Sequence, residues 1–518
     1  MEVGIGKFGK DFTSRVKDYH TMRTSYFQHG VASGDPLPHR VIIWTRVTPD
    51  ESGEITVEWE MSSSPDLTKE RTGKTTTGPE HDYTVKVDVD GLEPATSYFY
   101  RFRYQKVESP VGRTKTAPRE SDISRVRFGL VTCNHIQNGS LIPFTYLAQR
   151  DDLDFIVHTG DSIYEYGPQH NDTLVPYPET PLTPGRVYWR PIHEPPSDCV
   201  TLDDYRQRYG QYYKDSNYQR LNQRHPWFYI WDDHESADGA WREGATNHDE
   251  KTQGPWITRF NHAKKAWFEW HPVRGTKIYR QYNYGSLLSL FFLDTRSYRD
   301  KAPGIFLYQS RENRTLLGPF QKDWLKERLL SLDSRWKFIV TSVTFSRFFL
   351  LPSLRFLKFL PTLSVFSDGW EGYLNERQEI LDFVSINDIK NVVFLSGDVH
   401  MTILSHVKDE KGRTGAVEYT TPSISSDNLD ELLGDYNSSN VWITRLLSRY
   451  FKSINPHIVK LDTTNHGYLI LEVTPDRVQG DVWFISDPRS PSASMEYAFS
   501  AVTSRGEPQL TLTSSPLV

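Results

Sequence analysis

One stretch constrains this chain more than any other: Phe155-Ile156-Val157-His158-Thr159-Gly160-Asp161-Ser162-Ile163-Tyr164-Glu165. Its first half is a short apolar run ended by a glycine, the signature of a buried strand. The acid that follows falls at the carboxyl edge of a sheet, where open α/β folds assemble ligand sites. Gly160 permits a sharp backbone turn, which aims Asp161 into the crevice and away from the core. A carboxylate so placed is expected to bridge a cluster of metal ions. Alone, such a peptide is more often an ordinary loop acid. The rest of the chain decides.

Three more strand-like runs end in the same way. Val126–Val131 leads into Thr132-Cys133-Asn134-His135, and Trp227–Trp231 into Asp232-Asp233-His234-Glu235. Val392–Leu395 leads into Ser396-Gly397-Asp398-Val399-His400. Together the clusters offer thiolate, carboxylate, imidazole and phenolate. Taken singly, a cysteine after a strand is usually a small buried hydrophobe, and His234 or His400 a hydrogen-bonded structural histidine. Four such clusters at equivalent strand ends predict a polynuclear metal site.

The surrounding pattern divides the chain. Residues 1–23 form a polar N-terminal arm. Over 24–118, short alternating runs such as Val41–Val47, Ile55–Met61, Tyr83–Val89 and Phe99–Tyr104 alternate with turn residues. That spacing predicts a β-sandwich resembling an immunoglobulin or fibronectin type III module. After a polar linker, 125–487 alternates apolar strands with helical stretches at Phe320–Leu332 and Asn375–Ser385, an α/β (α+β) domain with its sheet in two layers. Residues 488–518 are a Ser-, Pro- and Thr-rich C-terminal extension.

Composition excludes several classes. With 24% charged residues and a net charge of −6, the 518-residue chain shows no nucleic-acid-binding surface. No stretch of about 18 apolar residues lacks charge, so no membrane span is expected. The N-terminus has no signal-like apolar segment; the protein is expected to be either secreted or cell-envelope with its signal removed, or intracellular. The two cysteines, Cys133 and Cys199, are too few for a disulfide framework, although they could pair. There is no Gly-x-Ser-x-Gly elbow to signal a protein nucleophile.

The order of the strand-end motifs resembles that of the calcineurin-like metallophosphoesterases, with definite departures. Cys133 stands where the first Asp is usual, Asp233 replaces Asn, and Asp398 replaces the first His of the last pair. With Phe27–Pro36 and Leu293-Asp294-Thr295-Arg296, these departures resemble the alkaline phosphatase D (PhoD-type) family from about 25 to 487. The stretches Thr421–Asn428, His466-Gly467-Tyr468 and Glu472–Pro475 resemble the branch that includes a secreted bacterial phospholipase D.

The resemblance implies an iron(III) (Fe3+) site like that of purple acid phosphatases, next to one or two calcium (Ca2+) ions. It assigns Cys133, Asp161 and His400 to iron, with Tyr164 or Tyr205 as the tyrosinate. Asp161 then bridges to calcium, with Asp233 and Asp398 as calcium ligands and Asp232 either a weaker ligand or an orienting group. The histidine usual near Thr341–Thr344 is missing. His234 matches the histidine that contacts phosphate or protonates the leaving oxygen. His466 is a candidate to line the site. Arg296 is a candidate phosphate clamp, but an ion pair with Asp294 or a neighbour is the favoured alternative.

The expected activity is hydrolysis of phosphomonoesters and phosphodiesters under alkaline conditions, with a metal-bridging hydroxide as nucleophile and small-molecule phosphate esters as substrates. The runner-up is a phospholipase D-like diesterase acting on phospholipids. A third alternative is a non-catalytic adhesion or carbohydrate-binding protein using the N-terminal sandwich. The aromatic, wholly cationic segment 345–361 is a candidate for membrane-surface contact, with a loop packed over the site or in a crystal or oligomer interface as the favoured alternative.

Overall fold

The computed structural model describes residues 26–68, 70–167, 192–303, 313–331, 333–351, 366–432, 441–490 and 492–517. Two large sheets pack against each other. The first has ten strands in the order Thr511–Thr513, Met495–Ser504, Arg477–Ile485, Gly467–Val473, Val126–Val131, Phe155–His158, Pro226–Tyr229, Val31–Leu37, Arg40–Arg46 and Thr84–Asp90. The second has seven: Arg280–Tyr284, Leu288–Phe292, Trp336–Val340, Val392–Ser396, Thr414–Thr420, Thr402–Lys408 and Ile458–Asp462.

The centre of each sheet is parallel. These strands are buried along their whole length because both of their faces are covered, and apolar residues predominate in them. Alternation sorts the side chains of the second sheet. Leu290, Phe338, Val393 and Leu395 face the first sheet, while Phe291, Ile339 and Phe394 meet the helices Gly318–Ser331 and Leu374–Ile386. Between the sheets, Phe128 stacks on Phe155 at 4.8 Å and meets Phe338 at 6.0 Å, and Phe228 lies 5.2 Å from Phe292. Emptying one such position, as in Phe128→Ala, removes about 3–5 kcal/mol.

The expected helices at Phe320–Leu332 and Asn375–Ser385 correspond to Gly318–Ser331 and Leu374–Ile386. Two longer elements carry no simple apolar stripe and escape the sequence pattern. Leu202–Tyr213, opened by a reciprocal Thr201–Asp204 capping box, buries four tyrosines and Arg208. Trp256–Trp270 buries three tryptophans, with Arg259 and Glu269 among them.

The N-terminal strands divide between sheets. Ile55–Ser62, Arg71–Thr77, Ser97–Tyr104, Val107–Glu108 and Gly112–Lys115 form a sheet of their own, while Val31–Leu37, Arg40–Arg46 and Thr84–Asp90 extend the ten-stranded one. An apolar cluster including Val41, Ile43, Val57, Tyr100 and Phe102 fills the space between them. Val31–Leu37 pairs in parallel with Pro226–Tyr229. Its sequence hides the strand, because Gly34-Asp35-Pro36 carries a bulge. Asp35 has φ 43°, is fully buried, and accepts from Arg280 at 3.0 Å and from the Arg274 amide at 2.6 Å. At the other end, Met495–Ser504 and Thr511–Thr513 continue the same sheet. Among the described residues, no helix is long and apolar enough to cross a membrane.

Candidate metal centre

The four clusters meet where the parallel strands of both sheets end. Thr132–His135, Gly160–Tyr164 and Asp232–Glu235 come from the first sheet, and Ser396–His400 from the second. Backbone bonds sew the loops together: the Cys133 and Asn134 amides donate to the Gly160 and Asp161 carbonyls at 3.2 and 3.1 Å. Gly160 has φ +112°, and a Cβ there would lie 2.6 Å from the Asp232 Cβ, so glycine is required for the loops to approach this closely. Four non-glycine residues also hold left-handed conformations: Cys133 (φ 53°), Asp161 (58°), Asp398 (68°) and His400 (60°). Such backbone costs on the order of 1–3 kcal/mol per residue and persists where the surroundings enforce it.

Glu235 is one such constraint. Fully buried, it accepts from the Asp161 and Asp232 amides through Oε2 at 3.0 and 2.7 Å, and from the Ser162 amide through Oε1 at 2.6 Å. Burial pushes its pKa up to about 7, against the pull of these donors.

One corner of the site combines four donor types. Cys133 Sγ lies 3.4 Å from Asp161 Oδ2, and Tyr164 Oη lies 3.2 Å from that same oxygen and 3.4 Å from His400 Nε2. His400 Nδ1 donates to the Asp427 carbonyl at 2.7 Å, which leaves Nε2 as the lone-pair nitrogen facing the cluster. Burial depresses the His400 pKa to about 4, so the ring is neutral, the form that binds metal. The Tyr164 ring lies between His135, 4.2 Å away, and His234, 4.3 Å away, and Ser426 Oγ reaches its hydroxyl at 2.6 Å. Tyr205 does not join this corner. Its hydroxyl donates to the Ser236 carbonyl and accepts from Arg259, so among the described residues Tyr164 is the phenol that stands with the donor set.

A second corner is carboxylate-rich. Donor atoms of Asp232, Asp233 and Asp398 lie within 4.8 Å of one another, as do those of Asp161, Asp233 and His234. Arg296 enters here, and Asp294 is not its ion-pair partner. Its fully buried guanidinium pairs with Asp232, with Asp233 at 3.4 Å, Asp368 at 3.3 Å and Asp398 at 3.2 Å. It is thus committed to carboxylates and is not free to clamp a phosphate. Ser342, in the region lacking the usual histidine, donates instead to Asp232 Oδ1 at 2.6 Å. His466 presents no spare nitrogen, because Ser423 engages Nδ1 at 2.9 Å and Glu431 engages Nε2 at 3.1 Å. Asp368 and Glu165 belong to the site's surroundings but carry no sequence signal. Both cysteines are free.

The donor set suits cations. Asp161 Oδ1 and Asp232 Oδ2 are buried without any hydrogen-bond partner. Burial, then the charges of neighbouring acids, pushes Asp161 and Asp398 well above the usual carboxylate range, and burial with the Asp161 charge does the same to the Cys133 thiol. A cation removes this penalty by pairing with the charged forms. Thiol, phenol, imidazole and carboxyl together suit a transition metal, and the carboxylate-rich corner a hard divalent ion.

Beside both corners, His234 Nδ1 donates to Glu165 Oε2 at 2.8 Å, and Glu165 Oε1 accepts from the Asp238 amide and Asn247 Nδ2 at 2.7 and 3.0 Å. Burial opposes the imidazolium, but the charges of Asp161, Glu165 and Asp233 prevail and raise the His234 pKa well above its ordinary value.

Known proteins resemble this chain in sequence and in fold. A family model described as PhoD-like phosphatase matches residues 128–482, and one described as PhoD-like phosphatase, N-terminal domain, matches 14–118. Alkaline phosphatase D of Bacillus subtilis (strain 168) is 31% identical over 95% of this chain and 83% of its own length. A solved structure of PhoD superposes with TM-score 0.81 at 28% identity, covering 96% of this chain and 94% of the other. A purple acid phosphatase from yellow lupin (Lupinus luteus) seeds shares the fold, with TM-score 0.54 and 12% identity over 92% of this chain and 74% of its own.

Proposed function

The chain belongs to the PhoD-like phosphatase family, and from that premise we propose how its residues carry out the reaction. The protein is a metal-dependent phosphoesterase. In our reading Cys133, Asp161, Tyr164 and His400 hold iron(III), while Asp161, Asp233 and Asp398 hold calcium, with Asp232 oriented by Arg296 and Ser342. The observation that carries this is the meeting of a thiol, a carboxyl, a phenol and an imidazole nitrogen around Asp161 Oδ2, from three separate loops.

Bound cations supply Lewis-acid charge to the phosphoryl oxygens and bring the pKa of water into the range where it attacks phosphorus. The chain's own residues do the rest. Glu165 fixes the His234 proton on Nδ1 in the neutral ring and supports the imidazolium, whose Nε2–H protonates the leaving oxygen. Arg296 moderates the repulsion among Asp232, Asp233 and Asp398 and holds them in place. Phosphomonoesters and phosphodiesters are the proposed substrates under alkaline conditions, with a phospholipase D-like action on phospholipids as the runner-up. We further assign 24–118 as an immunoglobulin- or fibronectin-type sandwich, 125–487 as the catalytic unit and 488–518 as an extension, in a secreted or cell-envelope protein; the arm expected over 1–23 lies outside the described residues.

Elemental analysis of purified protein, with a visible spectrum, tests the assignment. Iron and calcium together, with charge-transfer absorption that loses its thiolate component in Cys133→Ser and its phenolate component in Tyr164→Phe, support it. Full hydrolysis of p-nitrophenyl phosphate after exhaustive chelation refutes it. Product analysis on phosphatidylcholine separates the phospholipid reading from simple phosphatase action.

A further inference from the structure

We propose that the helix Val441–Ile454 is a docking element for the surface of an anionic phospholipid bilayer. Its sequence, VWITRLLSRYFKSI, contains three cations and no acid, in a chain whose net charge is −6. Trp442, Leu446 and Tyr450 recur at i, i+4 and i+8 and so share one face, with Ile443 beside them. That face is bare: Trp442 is 63% and Leu446 56% exposed. Leu351, 54% exposed, extends the apolar patch, since Tyr450 Oη donates to the carbonyl of neighbouring Leu350 at 3.3 Å.

Arg445, Arg449 and Lys452 occupy the flank of this stripe. None of the three makes an ion pair among the described residues. A protein partner of ordinary composition would place acids against them at defined positions. A bilayer carrying anionic headgroups needs only this simpler arrangement: cations at headgroup level and Trp, Leu and Tyr entering the acyl boundary. The combination of exposed aromatic and aliphatic groups with unbalanced positive charge selects that occupant.

The inner face explains why docking bears on the enzyme. Phe451 packs with Phe348, Val399, Met401 and Ile458 in a small apolar cluster, and Val399 and Met401 bracket His400. A hydroxyl–hydroxyl bond from Ser448 to Thr463 ties the helix to the residue that follows the strand Ile458–Asp462. The helix is therefore mounted on the segment that carries a donor of the metal centre, and a docked helix would keep that centre close to the lipid surface. The lipid acts here as a surface, whatever ester is cleaved.

Flotation with vesicles of phosphatidylcholine, or phosphatidylcholine with 30% phosphatidylglycerol (the probe composition, about one anionic lipid in three), tests the proposal. The holoenzyme is expected to float with the anionic vesicles about ten-fold better than with the neutral ones, and to lose most of that preference in 0.5 M salt (roughly the regime where surface attraction is screened). Trp442→Ser/Leu446→Ser should abolish flotation, and Arg445→Gln/Arg449→Gln should erase the anionic preference. Both variants keep activity on p-nitrophenyl phosphate, which certifies their fold. Equal flotation of wild type and both variants overturns the proposal, as does no flotation of wild type. A lipid-free dimer in sedimentation equilibrium that disappears in Trp442→Ser/Leu446→Ser also overturns it, because the face then belongs to a second copy of this chain.

Discussion

His234 and Glu165, 69 residues apart in sequence, meet through one hydrogen bond of 2.8 Å between Nδ1 and Oε2. The bond joins the loops of two neighbouring parallel strands and decides which imidazole nitrogen remains for substrate. Glu165→Gln keeps the shape but removes the charge that supports the imidazolium. Turnover on a phosphomonoester should fall about 10–100-fold with little change in KM or metal content. The alkaline limb of the pH–rate profile should also move to lower pH, because Glu165 is one of the charges raising the His234 pKa. An unchanged profile would remove Glu165 from the mechanism.

The two tyrosines give opposite expectations. Tyr164→Phe deletes the phenol beside Asp161 and His400, so the phenolate component of the visible charge-transfer absorption should disappear and iron should be lost more easily. Tyr205→Phe leaves that absorption intact but deprives the Ser236 carbonyl and Arg259 of a partner, costing about 1–3 kcal/mol in chemical denaturation. The reverse pattern would exchange their roles.

Arg296 sits buried among four carboxylates, so its removal leaves their mutual repulsion largely unopposed. In chelated protein, Arg296→Met should lower stability by about 3–5 kcal/mol. Calcium should recover part of that loss, since a bound cation opposes the same repulsion. Denaturation curves with and without calcium check both halves.

Acid should destabilise the fold through buried neutral histidines. His158 accepts from the Gly160 amide at Nδ1 and lies 2.6 Å from Asn134 Oδ1 at Nε2, so its proton is on Nε2. Burial lowers its pKa from 6.5 to about 3. Above pH 6.5 the ring is neutral in folded and unfolded chains alike, and pH has no effect through it. Below 6.5 the unfolded chain takes up a proton that the folded one refuses, so stability declines until the pH reaches about 3. At pH 5 the loss is on the order of 2 kcal/mol. His158→Gln should flatten the stability difference between pH 7.5 and pH 5 (roughly that same 2 kcal/mol) if the linkage is right.

The sequence exposes the candidate metal centre because buried parallel strands write themselves as largely apolar runs, and the candidate donors follow each run without interruption. Cys133, Asp161, Asp233, Asp398 and His400 are all legible in that way. What holds the donors is less legible. Glu165 lies in the opening peptide, yet no spacing relates it to His234. Asp368 follows no strand end at all. Arg296 was visible as a pair-forming residue, but its partners come from strand ends in both sheets, which only the packing of the sheets brings together. The strand Val31–Leu37 was masked by its own bulge, and Leu202–Tyr213 by its buried tyrosines and Arg208, which blur the contrast between polar and apolar faces.

That N-terminal strand has a consequence for how the protein is made. It lies between Arg40–Arg46 and Pro226–Tyr229, so one of its two neighbours is synthesised long after it. Until then its free edge is open to unwanted pairing, a hazard while the chain leaves the ribosome. A fragment begun at residue 125 would meet the mirror-image problem, with the backbone of Pro226–Tyr229 uncovered and prone to aggregate. Expressing the front portion as a separate polypeptide alongside such a fragment should restore soluble material, because the missing piece is a neighbour in the sheet and not a detachable appendage.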